Sequence, residues 1–215
     1  MKKALCIVFV AFFVLASALP VIAGDQETLQ KAWTAYNVGR YKETLTLLHP
    51  LAQNGNPTAQ VLIGRCYENG LGTSQNMETA AKWYALASEQ NDVQGTVQLA
   101  YCYENGLGVP KDTTKAVALM KKAAEANSAE AQFNMAMYYN AGQHGLPKDF
   151  KESFAWAKKS ADQGYAQAER FVGACYENGI GVSADQALAK EWYAKAQAKG
   201  LGREGTIVTK QTMPE

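Results

Sequence analysis

The pentapeptide Cys-Tyr-Glu-Asn-Gly occurs three times in this chain, at Cys66–Gly70, Cys102–Gly106 and Cys175–Gly179. Each copy is followed by Leu-Gly or Ile-Gly. The first two copies begin 36 residues apart and the last two 73 apart, which leaves room for one diverged copy between them. Self-similarity at a period of about 20 to 50 residues is typical of repeat proteins. The spacing therefore predicts an array of stacked structural units.

One period of the sequence predicts two amphipathic helices. The first spans about Pro57–Asn69, because its apolar residues recur at intervals of three and four. Pro57 suits a first helical turn, and Gly70 stands where a left-handed residue ends a helix. We assign the glycines of the following loop to this helix closure, and helical spacing resumes over about Gln75–Gln90. Each repeat is thus expected to be an antiparallel helix pair.

Equivalent positions carry the same kind of side chain in successive copies. The position where the first helix crosses its partner is always small: Gly64, Ala100, Ala136 and Gly173. One position of the second helix is always large: Trp83, Leu119, Trp156 and Trp192. Because large side chains opposite small ones let helix layers interdigitate, this pattern predicts closely packed helix pairs.

These patterns predict seven segments. They are a signal peptide at 1–23, an atypical N-terminal helix pair at 24–56, repeats at 57–92, 93–128, 129–165 and 166–200, and a C-terminal tail at 201–215. The pair at 24–56 lacks the glycine-rich loop, and we expect it to cap the array. The third repeat has one extra loop residue at Gln143-His144, which we interpret as a surface insertion.

The N-terminus has the composition of a secretory signal. Lys2 and Lys3 precede an apolar run over residues 4–15, and small residues end at Ala23. The alternative is a transmembrane anchor, but the run falls short of the roughly 20 residues that a spanning helix needs. We therefore expect cleavage after Ala23, no stable membrane insertion afterwards, and a periplasmic or secreted protein.

The charge balance argues against a nucleic-acid partner. Without residues 1–23, 19 Lys and Arg residues face 20 Asp and Glu residues. Proteins that bind DNA or RNA present dense basic faces, whereas the lysine pairs at 121–122 and 158–159 lie among acidic residues. We therefore expect no nucleic acid to bind.

The remaining cysteines, Cys66, Cys102 and Cys175, share one repeat position. Equivalent positions on stacked helices lie roughly 10 Å apart, and a disulfide needs Cα atoms within about 7 Å. We therefore predict small buried core residues. His49 and His144 lie far from the cysteines in sequence, so no metal site and no cofactor is expected.

At the level of individual residues, the repeat resembles the Sel-one-like repeat, a relative of the tetratricopeptide repeat with a longer, glycine-marked loop. The matching positions are Ala59-Gln60, Gly64, Cys66 to Gly72, Ala80 and Trp83-Tyr84. The resemblance covers about Pro57–Gly200, and the pair at 24–56 resembles a tetratricopeptide-like start. It implies an all-α, right-handed superhelical solenoid of antiparallel helix pairs that serves as an adaptor. Secreted bacterial members resemble envelope, cell-wall or host-interaction scaffolds.

One feature departs from part of that family. A cysteine-rich bacterial subgroup carries two bridged cysteines in each repeat, whereas this chain has at most one. The special properties of that subgroup are therefore not expected here.

Catalytic motifs are missing from the sequence. The loop glycines follow no strand and precede no Lys-Ser/Thr, so they are not a phosphate-binding loop. No Gly-x-Ser-x-Gly occurs, and no serine after residue 23 has a lysine three residues later. Glu68, Glu104 and Glu177 repeat at one helix end, which indicates a structural or solvent-exposed role instead of a pair of catalytic carboxylates. We predict that the protein is not an enzyme.

The tetratricopeptide-like phase of the first helices predicts a partner-binding patch in the concave groove. Val97, Tyr101, Phe133 and Met137 would form an exposed apolar surface, with Arg65 on one side and Arg170 on the other. This is the composition of a protein-binding hot spot. The alternative is that neighbouring helices cover these side chains as ordinary core.

The predicted function is a non-enzymatic interaction scaffold that binds a polypeptide of the bacterial envelope or outside the cell. Two alternatives remain open at the level of sequence. One is a peptidoglycan-associated ligand-binding module or weak cell-wall enzyme. The other is a secreted host-interaction factor, which would bind its partner by the same mechanism.

Overall fold

The computed structural model describes residues 24–201. The predicted signal peptide at 1–23 and residues 202–215 of the predicted tail lie outside the described residues. Residues 24–201 form ten helices and no strand, which confirms the all-α class.

The helices follow one another with short connections. They are α1 at residues 24–37, α2 Tyr41–Gln53, α3 Pro57–Asn69, α4 Met77–Glu89, α5 Val93–Asn105, α6 Thr113–Glu125, α7 Ala129–Ala141, α8 Phe150–Asp162, α9 Ala166–Asn178 and α10 Gln186–Ala198. The prediction for α3 is confirmed at both ends. The second helix of that repeat begins later than expected, at Met77, because the Asn76 side chain accepts a hydrogen bond from the Thr79 N–H and caps it.

The described chain divides into two compact units, and the division falls within α5. Unit 1 ends at Gly95 and unit 2 begins at Thr96. In unit 1, α2 packs on α3 and α3 on α4. In unit 2, each helix from α6 to α10 packs on the next. Helices that pack in the order of the sequence define an all-α solenoid, as predicted.

Polar caps fix most helix starts, and glycines fix several ends. The side chains that accept hydrogen bonds from first-turn N–H groups are Asn56, Asn76, Asp112, Ser128, Asp149 and Asp185. Gly70 ends α3 with φ 66°, in the left-handed region, as predicted. Each such cap contributes about 1 kcal/mol and fixes the residue at which its helix begins.

All three cysteines of the described chain are buried thiols, which confirms their predicted role as core residues. Cys66 belongs to the core of unit 1 with Leu48 and Ile63. Cys175 belongs to a core of unit 2. Burial raises the pKa of the Cys66 thiol to about 11 and that of Cys175 to about 12. Neither thiol therefore has appreciable thiolate character near neutral pH.

A tyrosine ring packs directly over the small residue of the first helix in two of the pairs. A Cβ atom built on Gly64 would stand 2.5 Å from Cε1 of Tyr84, and one built on Gly173 would stand 3.0 Å from the Tyr193 ring. Ordinary carbon contacts require about 3.5 Å or more. Glycine is therefore required wherever tyrosine occupies the facing position.

The glutamate of each pentapeptide holds a tyrosine hydroxyl. Tyr84 donates to Glu68 at 2.5 Å, and Tyr193 donates to Glu177 at 2.7 Å. These bonds confirm the structural role expected of the repeated glutamates. The glutamate of the second pentapeptide, Glu104, has a different partner. Glu104 accepts at 2.7 Å from a tyrosine of the following pair, Tyr138 on α7.

The extra loop residue in the third repeat takes part in that variation. His144 Nε2 lies 3.1 Å from Glu104 Oε1, and the His144 and Tyr138 rings meet edge to face at 4.7 Å. Burial and the Glu104 carboxylate raise the pKa of Tyr138 far above its ordinary range, so this phenol stays a hydrogen-bond donor. The insertion thus packs against the repeat and is not a surface loop alone.

In the first and last repeats, the second glycine of the loop makes a contact that the sequence interpretation missed. A Cβ atom on Gly72 would stand 2.6 Å from the carbonyl carbon of Tyr41, at the start of α2. A Cβ atom on Gly181 would overlap the Phe150 carbonyl, at the start of α8. These glycines therefore let a loop pack against the preceding second helix. Assigning every loop glycine to helix closure was wrong.

In two repeats a buried glutamine of the first helix bonds to an exposed glutamine at the end of the second helix. Gln60 donates to the Ala52 carbonyl at 3.1 Å and accepts from Gln90 at 2.8 Å. Gln132 and Gln163 repeat the arrangement at 2.7 Å. In this way the buried amides of Gln60 and Gln132 each donate to a backbone carbonyl and accept from the exposed glutamine.

The last repeat replaces this neutral pair with an ion pair. Lys199 Nζ lies 2.6 Å from Glu169 Oε1, and the Glu169 side chain is only 4% exposed. Its other oxygen, Oε2, is buried without a hydrogen-bond partner among the residues that the structure describes. An isolated buried carboxylate is costly, so Glu169 depends on Lys199.

We expect Lys199→Ala to destabilise the protein by about 1 to 3 kcal/mol, because it leaves the Glu169 carboxylate without its counter-charge. The double variant Glu169→Gln/Lys199→Gln copies the neutral pair of the first and third repeats, and its stability should lie within about 1 kcal/mol of the parent. Urea unfolding followed by circular dichroism measures both. A double variant as unstable as Lys199→Ala would contradict this account.

Candidate functional site

The predicted binding residues fall in both units, and the structure places each of them. Val97, on α5, is 1% exposed. This side chain is therefore core, and the expectation that it lies on an exposed patch is corrected. The phase taken from the tetratricopeptide pattern did not account for the helices that cover it.

Tyr101, on α5, is partly buried and bonded to two side chains of α7. Its hydroxyl accepts from Asn134 Nδ2 at 2.6 Å and donates to Glu130 Oε1 at 3.3 Å. Burial and the charge of Glu130 raise the pKa of Tyr101 to about 12. The phenol is therefore neutral at physiological pH and is held in one orientation.

Phe133 and Met137 lie on α7 and are partly exposed. The Phe133 ring centroid lies 5.6 Å from that of Tyr165 and 6.2 Å from that of Phe171. Both Phe133 and Met137 pack against the core of unit 2. The sequence left open whether these residues are core or exposed, and each is partly both. One side of each side chain packs against the core, and the other side is exposed to solvent.

Four residues spaced by three, four and seven share one side of α7: Glu130, Phe133, Asn134 and Met137. Together with Tyr101 they form a surface that we name the α7 face. It combines two aromatic rings, a methionine, an amide and a carboxylate, and all five side chains are partly exposed. Aromatic residues and methionine are enriched at protein interfaces.

The two predicted arginines occupy different units. Arg170 lies on α9 next to Phe171, and it is partly exposed and forms no ion pair with another residue of 24–201. Arg65 lies on α3 in unit 1, where it lines a pocket with Trp33 and Val61.

Sequence reasoning missed Glu130, Asn134 and Trp33. The helical spacing from Phe133 and Met137 was a sufficient signal for the first two, since they lie on the same side of α7.

Trp33 stands in the predicted cap, where Leu29 and Tyr36 are its apolar neighbours along α1, and its ring meets that of Tyr36 edge to face at 5.8 Å. Its spacing from these residues is that of a packed helix face, so no sequence signal marked Trp33 as a surface residue.

No helix of residues 24–201 is long and apolar enough to cross a membrane. The same residues contain no cluster of three or more side chains suited to bind a metal ion.

Helix pairs packed in sequence order, with a partly exposed aromatic face on a first helix, define a helical-repeat scaffold. The family model described as Sel1 repeat matches residues 57–92, 94–128, 129–165 and 166–201. The chain belongs to the Sel1 repeat family, as the sequence resemblance indicated. Proteins of this family are in general non-enzymatic protein-interaction scaffolds.

Two of the solved structures that are similar to this chain are at least 25% identical to it. A Sel1 repeat protein from Oxalobacter formigenes is 34% identical, with a TM-score of 0.71, over 81% of this chain and 71% of that one. A protective antigen of uropathogenic Escherichia coli with an SLR fold is 25% identical, with a TM-score of 0.69. That match covers 82% of this chain but only 41% of the antigen, so this chain spans less than half of it. No curated protein sequence matches the chain.

We expect Phe133→Ala to destabilise the protein by about 2 kcal/mol, because the ring packs on Tyr165 and Phe171. Phe133→Leu keeps most of the apolar volume and should cost less than about 1.5 kcal/mol. Chemical unfolding in urea compares the two variants with the parent. An unchanged stability in Phe133→Ala would show that the ring is surface only.

Proposed function

We propose that this protein is an exported, non-enzymatic bacterial scaffold that binds a polypeptide of the envelope or the cell exterior on the α7 face. The observation that carries the proposal is the arrangement of Tyr101 and Phe133. Tyr101 is oriented by two hydrogen bonds, and Phe133 is fixed by two ring contacts, yet both remain partly exposed.

This arrangement suits binding because the side chains lose little freedom when a partner arrives. Immobilising a flexible side chain at an interface costs about 0.5 to 1.5 kcal/mol. Rings already held by hydrogen bonds and packing have lost that freedom during folding. Aromatic anchors of this kind are common among the residues that dominate binding energy.

Polar groups beside the rings allow specificity. Glu130 has a second carboxylate oxygen, and Asn134 has a carbonyl oxygen, in addition to the atoms that bond Tyr101. A polypeptide supplies N–H donors along its backbone to meet such acceptors. Arg170 offers a positive charge on the neighbouring first helix of unit 2.

Export is part of this proposal and is supported by the sequence of residues 1–23 alone. The lysines, the apolar run and the small residues before Gly24 have the order of a cleaved signal. A scaffold that reaches the envelope would meet polypeptides there, and a protein partner is what members of this family generally bind.

Photocrosslinking in the native envelope tests the proposal. A photoreactive side chain at Met137 is expected to capture one dominant protein, identified by mass spectrometry. The same group at Lys151, an exposed residue of α8, is the control and should not capture it. Adding Tyr101→Phe to the Met137 probe keeps the ring but removes both hydrogen bonds, so capture should fall several-fold.

Equal capture from residues 137 and 151 would contradict binding on the α7 face. Retention of the purified protein on sacculi without any added protein would instead favour the peptidoglycan-binding alternative. Cell fractionation tests export separately. The protein should be found outside the cytoplasmic fraction, and mass spectrometry should identify Gly24 as its first residue.

A further inference from the structure

Unit 1 contains a pocket that shares no residue with the α7 face. Its volume is about 210 Å³, and it is lined by α1, α3 and the residues that begin α5. The lining residues that matter for binding are Trp33, Val61, Leu62, Arg65 and Asp92.

The pocket has an apolar wall. Val61 and Leu62 are 7% and 2% exposed, so the wall belongs to packed structure and is preformed. Trp33 is 37% exposed, and it is one of the few large apolar side chains on the surface of the described chain. A cavity of about 150 Å³ is enough to hold benzene. The pocket therefore has room for one aliphatic side chain of a ligand.

The pocket also has one uncompensated charge. The Arg65 guanidinium forms no ion pair with another residue of 24–201. Asp92 is negative, but its Oδ1 accepts from the Gly95 N–H at 2.7 Å, at the start of α5. A helix N-terminus favours a negative charge there, so this carboxylate oxygen of Asp92 is directed to the start of α5. Arg65 is therefore the side chain of this pocket that can hold a negatively charged group of a ligand.

We propose that this pocket binds the C-terminal residue of a polypeptide, with an aliphatic side chain against Trp33, Val61 and Leu62 and the terminal carboxylate on Arg65. A C-terminal residue carries its carboxylate and its side chain on the same Cα atom, which matches a single pocket with both features. Arginine suits this group, since its planar fork can donate two parallel hydrogen bonds to a carboxylate. The inference depends on the proposed function only in that the ligand is a polypeptide.

A titration observed by NMR tests the inference on the full chain. The probe is the peptide Gly-Ser-Gly-Ala-Leu with a free carboxylate, and the matched probe is its C-terminal amide. The reporter is the indole N–H signal of Trp33, assigned with Trp33→Phe. We expect the peptide acid to shift this signal with a dissociation constant of about 1 mM. The peptide amide should bind about tenfold more weakly.

Variants locate the carboxylate. Arg65→Gln should weaken binding of the acid by about tenfold, the loss that removal of a charged hydrogen-bond partner produces. Arg40→Gln is the control, because Arg40 is an exposed arginine of the same unit outside this pocket. The comparison of acid with amide uses the unaltered protein, so it decides the question even if Arg65→Gln unfolds.

Equal binding of acid and amide would overturn the inference, and so would an unshifted Trp33 signal at about 5 mM acid, above the expected dissociation constant. A Trp33 shift that follows protein concentration alone would identify a second copy of the chain as the occupant and would also overturn it. Because the crosslinking probe at Met137 lies in unit 2, its result separates failure of this pocket from failure of the α7 face.

Discussion

The packing of a tyrosine ring on a glycine of the facing helix determines how closely a helix pair can approach. Tyr84 lies over Gly64, and its hydroxyl reaches Glu68, one turn further along the same helix. Tyr193, Gly173 and Glu177 repeat this arrangement. In these two pairs one contact therefore explains why the pentapeptide carries glutamate and why a glycine precedes it. Gly64 and Glu68, one helical turn apart on α3, thus both contact the same tyrosine of α4.

The two middle pairs show what happens when the glycine is lost. The position of Gly64 is Ala100 in one and Ala136 in the other, and the position of Tyr84 is Met120 and Ala157 respectively. A methyl group at this place leaves no room for a ring, so the hydroxyl partner must come from elsewhere. Glu104 obtains it from Tyr138 of the next pair, and His144 packs beside both. The second repeat thus keeps the hydrogen bond of its glutamate while it changes the donor, and α7, which supplies that donor, also carries the α7 face.

Much of this fold was predictable from the sequence, and the reasons are local. The pentapeptide, the proline at 57 and the glycine at 70 fix helix bounds through backbone geometry, which does not depend on distant residues. The sequence analysis grouped Gly64 with Ala100 because both are small. It therefore missed that only glycine leaves room for a tyrosine ring on the second helix. Burial of Val97 was not predictable from its helix alone, because it depends on what packs against that helix. Tyr101, Phe133 and Met137 were found by phase, but their orientation by Glu130 and Tyr165 required the three-dimensional structure.

A double-mutant cycle on Gly64 and Tyr84 tests the central constraint most directly. Alanine is favoured over glycine inside a helix by about 1 kcal/mol, so without a clash Gly64→Ala would stabilise the protein. With Tyr84 present, we predict that Gly64→Ala destabilises it, because the new Cβ atom meets the ring. In a Tyr84→Met background the same substitution should be neutral or stabilising, with a coupling energy above about 1 kcal/mol. Unfolding free energies that simply add across the cycle would contradict the account.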